Sequence, residues 1–164
     1  MVFERSLVFI KWPSVEKKYE IFDFLDYSLV KDIPHFQRTI EKEFIVSQQV
    51  IAEHYAHVRT LSSNAYEDYM ATFQKYPLCV RVYLGETGMC NAIRKIVGAT
   101  DPAKANEGTI RRTFSRDSLE RAIAEKRAVR NVMHASGSSE EAEVEIARFT
   151  PPLGELKYFP FPIS

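Results

Sequence analysis

His134 is the residue of this chain whose surroundings best suit nucleophilic chemistry. It lies in Asn131-Val-Met-His-Ala-Ser-Gly-Ser138, and Ser138 with Glu141 forms an S-x-x-E capping box. A helix therefore starts just beyond the histidine. Its unpaired N–H groups form a positive end that suits an imidazole taking up phosphate. Glu145 falls 11 residues after His134, on the Ser138 face of that helix. From there a carboxylate can hold one ring nitrogen and leave the other free to attack. A core histidine with a stabilising carboxylate would show the same local pattern. Three cations bear on the choice: Lys11 closing an apolar run, Arg94, and Arg111 after Gly108-Thr-Ile. Singly, each is an ordinary solvated charge; together they would form the clamp that a triphosphate requires.

The other candidates carry less. His54 and His57 flank Tyr55 with a spacing of three, but a third metal ligand is not evident, so they are expected on a helix surface. Cys79 sits in an apolar run as a small buried hydrophobe, and with Cys90 as the only other cysteine no disulfide is expected. No metal site is assigned.

The elements that must position these groups follow from periodicity. Residues 5–11 form an apolar strand, and residues 15–30 an amphipathic helix with Ile21, Phe24, Leu25 and Leu29 inward. Over 36–46 the period becomes two, the mark of a half-buried strand. Ser47 caps a helix over 47–57, a second helix covers 63–75, and Pro77 ends it. Residues 78–84 are a strand, and 88–97 a helix stopped by Gly98. A loop with short helical turns over 99–112 leads to a helix at 118–128, a strand at 130–134 and a helix at 138–148. The tail, 150–164, holds four prolines and is expected to run extended. This order predicts one α+β domain over 1–164, compatible with a split β-α-β, ferredoxin-like plan.

Lys plus Arg and Asp plus Glu each number 22, so the formal net charge is zero and nothing points to nucleic acid or an acidic membrane as partner. No apolar run approaches the roughly 20 residues that span a bilayer. The first residues lack the pattern of a signal peptide, so a cytoplasmic location is expected.

Several segments resemble the nucleoside diphosphate kinase family. They are Glu4-Arg-Ser-Leu-Val-Phe-Ile-Lys11, Glu53-His-Tyr-Ala56, Val97-Gly-Ala-Thr-Asp-Pro-Ala103, Gly108-Thr-Ile-Arg111 and Asn131-Val-Met-His-Ala-Ser136. The resemblance spans about residues 4–149. It implies a ferredoxin-like sandwich with a four-stranded antiparallel sheet. It also implies ping-pong transfer of the γ-phosphate of ATP to a nucleoside diphosphate through phosphohistidine at His134, with Mg²⁺ carried on the nucleotide. On that footing Glu145 orients His134, Ser136 supports Glu145, and Tyr55 sits beside His134 and Lys11. Arg94, Thr100 and Arg111 contact phosphates, Lys11 phosphate and sugar, and Asn131 the sugar. A homo-oligomer, hexamer or tetramer, is implied too. The chain departs from the pattern at Lys11-Trp-Pro-Ser14, where the family reads Lys-Pro-Asp, and at Gly137, where the family has an acid. The usual base-stacking phenylalanine is missing, which leaves Tyr66 as the candidate platform. Extra residues near 115–128 are expected to add a helix beside the nucleotide cleft. Such departures would also suit a nucleotide-binding regulator of the same fold.

Overall fold

The computed structural model describes residues 2–153. β1 (Phe3–Ile10) is buried from Ser6 onward on both faces, as a central strand must be. It pairs antiparallel with β3 (Leu78–Glu86) on one side and with the short β4 (Met133–Ala135) on the other. β2 (Phe36–Phe44) pairs antiparallel with the outer side of β3. The sheet order is β2-β3-β1-β4, and helices pack on both faces: this is the ferredoxin-like α+β sandwich.

Alternation along β1 divides the core in two. Val8 and Ile10 face α1 (Lys18–Leu29) and α5 (Met89–Val97), meeting Ile21, Leu25, Ile93 and Val97. Leu7 and Phe9 face the other layer and meet Ile51, Phe73 and Phe149. The second layer consists of α2 (Gln48–His54), α3 (Ala56–Leu61), α4 (Ser63–Lys75) and α8 (Ser139–Leu153). Ser47, Ser62 and Ser118 each accept a bond from the backbone N–H three residues on, capping α2, α4 and α7 (Leu119–Ala124). Such a cap contributes about 1 kcal/mol. α6 (Ile110–Phe114) lies between α5 and α7 in the chain. Cys79 and Cys90 are free, buried thiols.

Four helical segments differ from the expectations, and the strand expected over 130–134 is the shorter Met133–Ala135. The first helix begins as a 3-10 turn, Ser14–Lys17, before α1. The helix expected over 47–57 breaks at Tyr55 (φ −100°, ψ 17°), giving α2 and α3. The helix expected over 118–128 stops at Ala124, because the chain after it turns back to acids: Lys126 takes φ 53°, Arg127 pairs with Asp117, and the Ala128 N–H donates to Asp68. α8 continues past 148 to Leu153, carried on by fully buried Phe149 against Phe9. The tail expected to be extended from 150 thus begins in helix, and 154–164 lies outside the described residues. No helix among the described residues is long and apolar enough to cross a membrane.

Candidate active site

β4 and the start of α8 bring the nucleophile and its orienting acid together. His134 pairs with Phe9 across the β1–β4 ladder, and the two rings stack at 4.8 Å. Half of the capping box forms as its sequence implies, with Ser138 Oγ accepting the Glu141 N–H at 3.1 Å; Glu141 Oε2 reaches one residue past the cap and accepts the Gly137 N–H at 2.7 Å. Two turns on, Glu145 Oε1 lies 2.7 Å from His134 Nε2. Glu145 is 2% exposed. Its other oxygen accepts the Ser136 hydroxyl at 2.5 Å, and Ser136 Oγ in turn accepts the Leu7 N–H at 3.1 Å. Ser136 therefore ties the carboxylate to the central strand.

Burial first, then the ammonium of Lys11 and the guanidiniums of Arg111 and Arg94, hold the His134 pKa well below its ordinary value, with Glu141 opposing. Its imidazole is thus neutral at physiological pH. Facing a carboxylate, a neutral ring donates from Nε2, which leaves the Nδ1 lone pair free. Burial raises the Glu145 carboxyl, while Ser136, His54 and Arg148 pull it back down.

The turn before β4 is strained. Val132 has φ 74°, and the Met133 N–H donates to Asn131 O at 2.9 Å, closing the strained form of a γ-turn. A β-branched residue at positive φ is rare and marks a functional place. Neighbouring contacts hold it there: the Lys11 N–H donates to Val132 O at 2.8 Å, and Arg111 donates to the carbonyls of Asn131 and Met133 at 3.2 and 2.8 Å. A third bond from Arg111 goes to Gly98 O at 3.0 Å, so this guanidinium ties the 131–133 segment to the end of α5. Burial lowers its pKa to about 10, still fully charged.

His134 opens into a cleft of about 560 Å³ whose lining includes Lys11, Tyr55, Arg94, Thr100, Arg111 and Asn131. Lys11 donates to Asn131 Oδ1, and Asn131 Nδ2 donates to Thr100 O at 3.0 Å. The Lys11 ammonium is only 6% exposed and sits 5.4 Å above the Tyr69 ring. Burial and the charges of Arg111 and Arg130 push its pKa well down. Tyr55 stacks on Tyr69 at 4.1 Å, and its buried hydroxyl has no hydrogen-bond partner among the described residues. Nine of the ten residues singled out from sequence therefore converge on one cavity or its immediate support.

The nucleoside diphosphate kinase family model matches residues 4–153. A nucleoside diphosphate kinase of Acetivibrio thermocellus is 31% identical over 152 residues, covering 92% of this chain and 98% of the relative. One from Clostridium perfringens is 32% identical over 153 residues, covering 92% and 94%. The chain belongs to the nucleoside diphosphate kinase family. It is a phosphotransferase of that family, acting on nucleotides. The fold agrees: a Borrelia burgdorferi nucleoside-diphosphate kinase, solved as a transition state mimic with bound vanadate and ADP, superposes with a TM-score of 0.81 at 22% identity, covering 98% of this chain and 95% of the other. The NDP kinase from Pyrobaculum aerophilum superposes at 0.74, with 23% identity and coverages of 94% and 100%.

Two expectations need correction. Tyr66 does not reach the cleft. It lies under the Arg59 guanidinium at 5.7 Å and lines a separate surface depression with Gln48 and Met70. Starting α4 at Ser63 puts Tyr69 and Phe73 on the buried stripe and leaves Tyr66 at its rim. The region next to the cleft is instead an apolar groove of about 360 Å³ between Val58 and Leu61 of α3 and Leu119 and Ile123 of α7. His54 also lines the cleft, and it is 7% exposed rather than on the helix surface. Its ring crosses His134 at 4.6 Å, and burial lowers its pKa to about 3. The clue was spacing: Ile51, His54 and Tyr55 share one helical stripe, and both neighbours are apolar. Glu141 was recognised only as a cap, and Arg148 was not singled out at all.

His54, His134 and Glu145 place three donor atoms within 4.8 Å of one another. Lys11, Arg94, Arg111 and Arg148 line the same cleft, and their field disfavours a dication there.

Proposed function

We propose that His134 is the transient phosphate carrier of a ping-pong reaction. Nδ1 attacks the γ-phosphorus of a nucleoside triphosphate, the bond to the bridging oxygen breaks, and the nucleoside diphosphate leaves with that electron pair. The ring then carries phosphate on Nδ1 and its proton on Nε2, and Glu145 stabilises the positive charge that develops. In the second half, a terminal oxygen of an acceptor diphosphate attacks the phosphorus and returns the lone pair to Nδ1. The observation that carries this is the 2.7 Å contact of His134 Nε2 with Glu145 at the wall of a cleft rich in cations.

Lys11, Arg94, Thr100 and Arg111 hold the phosphates, and Asn131 with Lys11 holds the sugar. Tyr55 lines the same wall, its hydroxyl available to a phosphate oxygen. The base lies in the α3–α7 groove, which shares His57, Val58, Tyr69 and Thr100 with the catalytic cleft. Leu61 and Ile123, 81% and 74% exposed, stand at its sides.

The cleft's carboxylates fit an ion that arrives with the nucleotide rather than one resident in the protein. Glu145 serves His134 and Ser136, Glu141 serves the Gly137 N–H, and Glu53 accepts from Gln49 at 3.1 Å. Mg²⁺ carried on the phosphates supplies charge neutralisation beyond that of the basic side chains. A homo-oligomer, hexameric or tetrameric, goes with this assignment; exposed Tyr19 and Tyr27 on α1, with Val30 just after it, support a covered face.

The test is incubation with γ-labelled ATP and Mg²⁺. Wild type should acquire acid-labile, alkali-stable label that leaves on adding a diphosphate, and His134→Ala should acquire none. Full transfer activity in His134→Ala would overturn the assignment.

A further inference from the structure

Behind the His134–Glu145 pair stands a second row of groups to which phosphate transfer has so far assigned no task. Nδ1 of His54 lies 3.8 Å from Glu145 Oε1, the same oxygen that His134 uses. Arg148, one turn beyond Glu145 on α8, places a terminal nitrogen 3.5 Å from His54 Nδ1 and its Nε 3.8 Å from Glu53 Oε2. A guanidinium only donates. In that contact the His54 nitrogen offers a lone pair, which places the ring's proton on Nε2. With a proton on Nδ1 instead, His54 would donate to Glu145 Oε1 and compete with His134 for it.

We propose that Arg148 is a positioning residue for phosphate transfer: steadied by Glu53, it fixes His54 as the Nε2–H tautomer and stands as a counter-cation behind Glu145, so that the carboxylate serves His134 alone. The proposal rests on His134 being the phosphate carrier.

The charges around Glu145 agree with this role. From the β4 side it meets His134 and Ser136, from α2 it meets His54, and Tyr55 follows that helix. From α5 it meets the Cys90 thiol, and along α8 it meets Glu141 and Arg148. Lys11, Arg94 and Arg111 lie on the His134 side of the pair and act on that ring. Arg148 is the permanent cation of the set behind the carboxylate, and it helps hold the Glu145 carboxyl down against burial. Its loss would let that carboxyl rise further. A protonated Glu145 cannot stabilise the charged ring, so the acid limb of the rate profile would move to higher pH.

The experiment is single-turnover labelling of His134 by γ-labelled ATP from pH 5 to 9, in wild type, Arg148→Met and Arg148→Lys. Arg148→Met should label more slowly than wild type across the range and several-fold more slowly on its acid side, with the acid limb displaced to higher pH. Arg148→Lys, which keeps the charge, should retain most of the wild-type limb. A folded Arg148→Met protein with a profile that superposes on wild type overturns the proposal. Should Arg148→Met fail to fold, nitrogen-15 NMR of wild-type His54 decides: a bare Nδ1 supports the tautomer lock, and a protonated Nδ1 sinks it. Wild type that never labels His134 removes the carrier assignment itself, and this inference with it. Normal labelling with an unshifted variant removes only the role of Arg148.

Discussion

Replacing Glu145 with Gln isolates the charge that the site places behind its nucleophile. The side chain keeps its shape, and the amide oxygen can still accept from His134 Nε2. The other end also remains satisfiable: Ser136 Oγ lies 3.1 Å from Leu7 O and can donate there instead, leaving its lone pair for the new amide N–H. What is lost is the attraction between a carboxylate and the ring charge that grows as phosphorus bonds to Nδ1. At a separation of about 4 Å and an effective dielectric of about 20, that attraction is about 4 kcal/mol. A neutral hydrogen bond recovers about 1 kcal/mol. The remaining 3 kcal/mol or so corresponds to a fall of roughly 100-fold in the phosphorylation rate. Quench-flow labelling with γ-labelled ATP measures that step directly, apart from product release. The acid limb assigned to Glu145 should also vanish, because an amide does not titrate. A loss smaller than about fivefold, or an unchanged acid limb, would refute the claim that the buried carboxylate stabilises the charged ring.

Ile123→Glu should raise the nucleotide KM about tenfold, since burying an apolar side chain against a base contributes on the order of 1.5 kcal/mol. Phosphorylation of His134 by phosphoramidate, which has no base, should stay unchanged. Gly98→Ala should cost about 1–3 kcal/mol in thermal melts and raise the nucleotide KM: φ there is +92°, an added Cβ would come within 2.6 Å of Thr109 Oγ1, and the Gly98 carbonyl anchors Arg111. Asp117→Asn should destabilise the protein by roughly 2 kcal/mol at neutral pH. Arg127 and the Arg130 N–H hold the Asp117 carboxyl down to about 2, below its ordinary value of 3.8. A depressed carboxyl stabilises above its unfolded pKa and loses that contribution as pH falls, so the wild-type advantage in urea melts should fade between about pH 4 and pH 2.

The sequence by itself determined what depends on near neighbours. The capping box at Ser138 and Glu141 needs only one helical turn, and the distance from His134 to Glu145 is set by one short turn and two turns of helix. Strands β1 and β3 were legible because a central strand is apolar on both faces. Lys11, Arg94 and Arg111 were suspects on the sequence, but their convergence depends on the β1–β4 register and on Arg111 bridging the 131–133 segment and Gly98, contacts made between distant parts of the chain. His54 was misplaced because the helix pattern shows which residues share a stripe, not which layer the stripe meets. The break at Tyr55 and the approach of α8 turned it toward Phe9 and His134. Tyr66 and the end of α7 went the same way. The aromatic's side was settled by the phase of α4 against the core, and the helix end by ion pairs from Arg127 and Arg130 to Asp117 and Asp68. Helix caps and periodicity act within a few residues and can be read along the chain, whereas a cleft is built from register and layer packing, which only the folded sheet supplies.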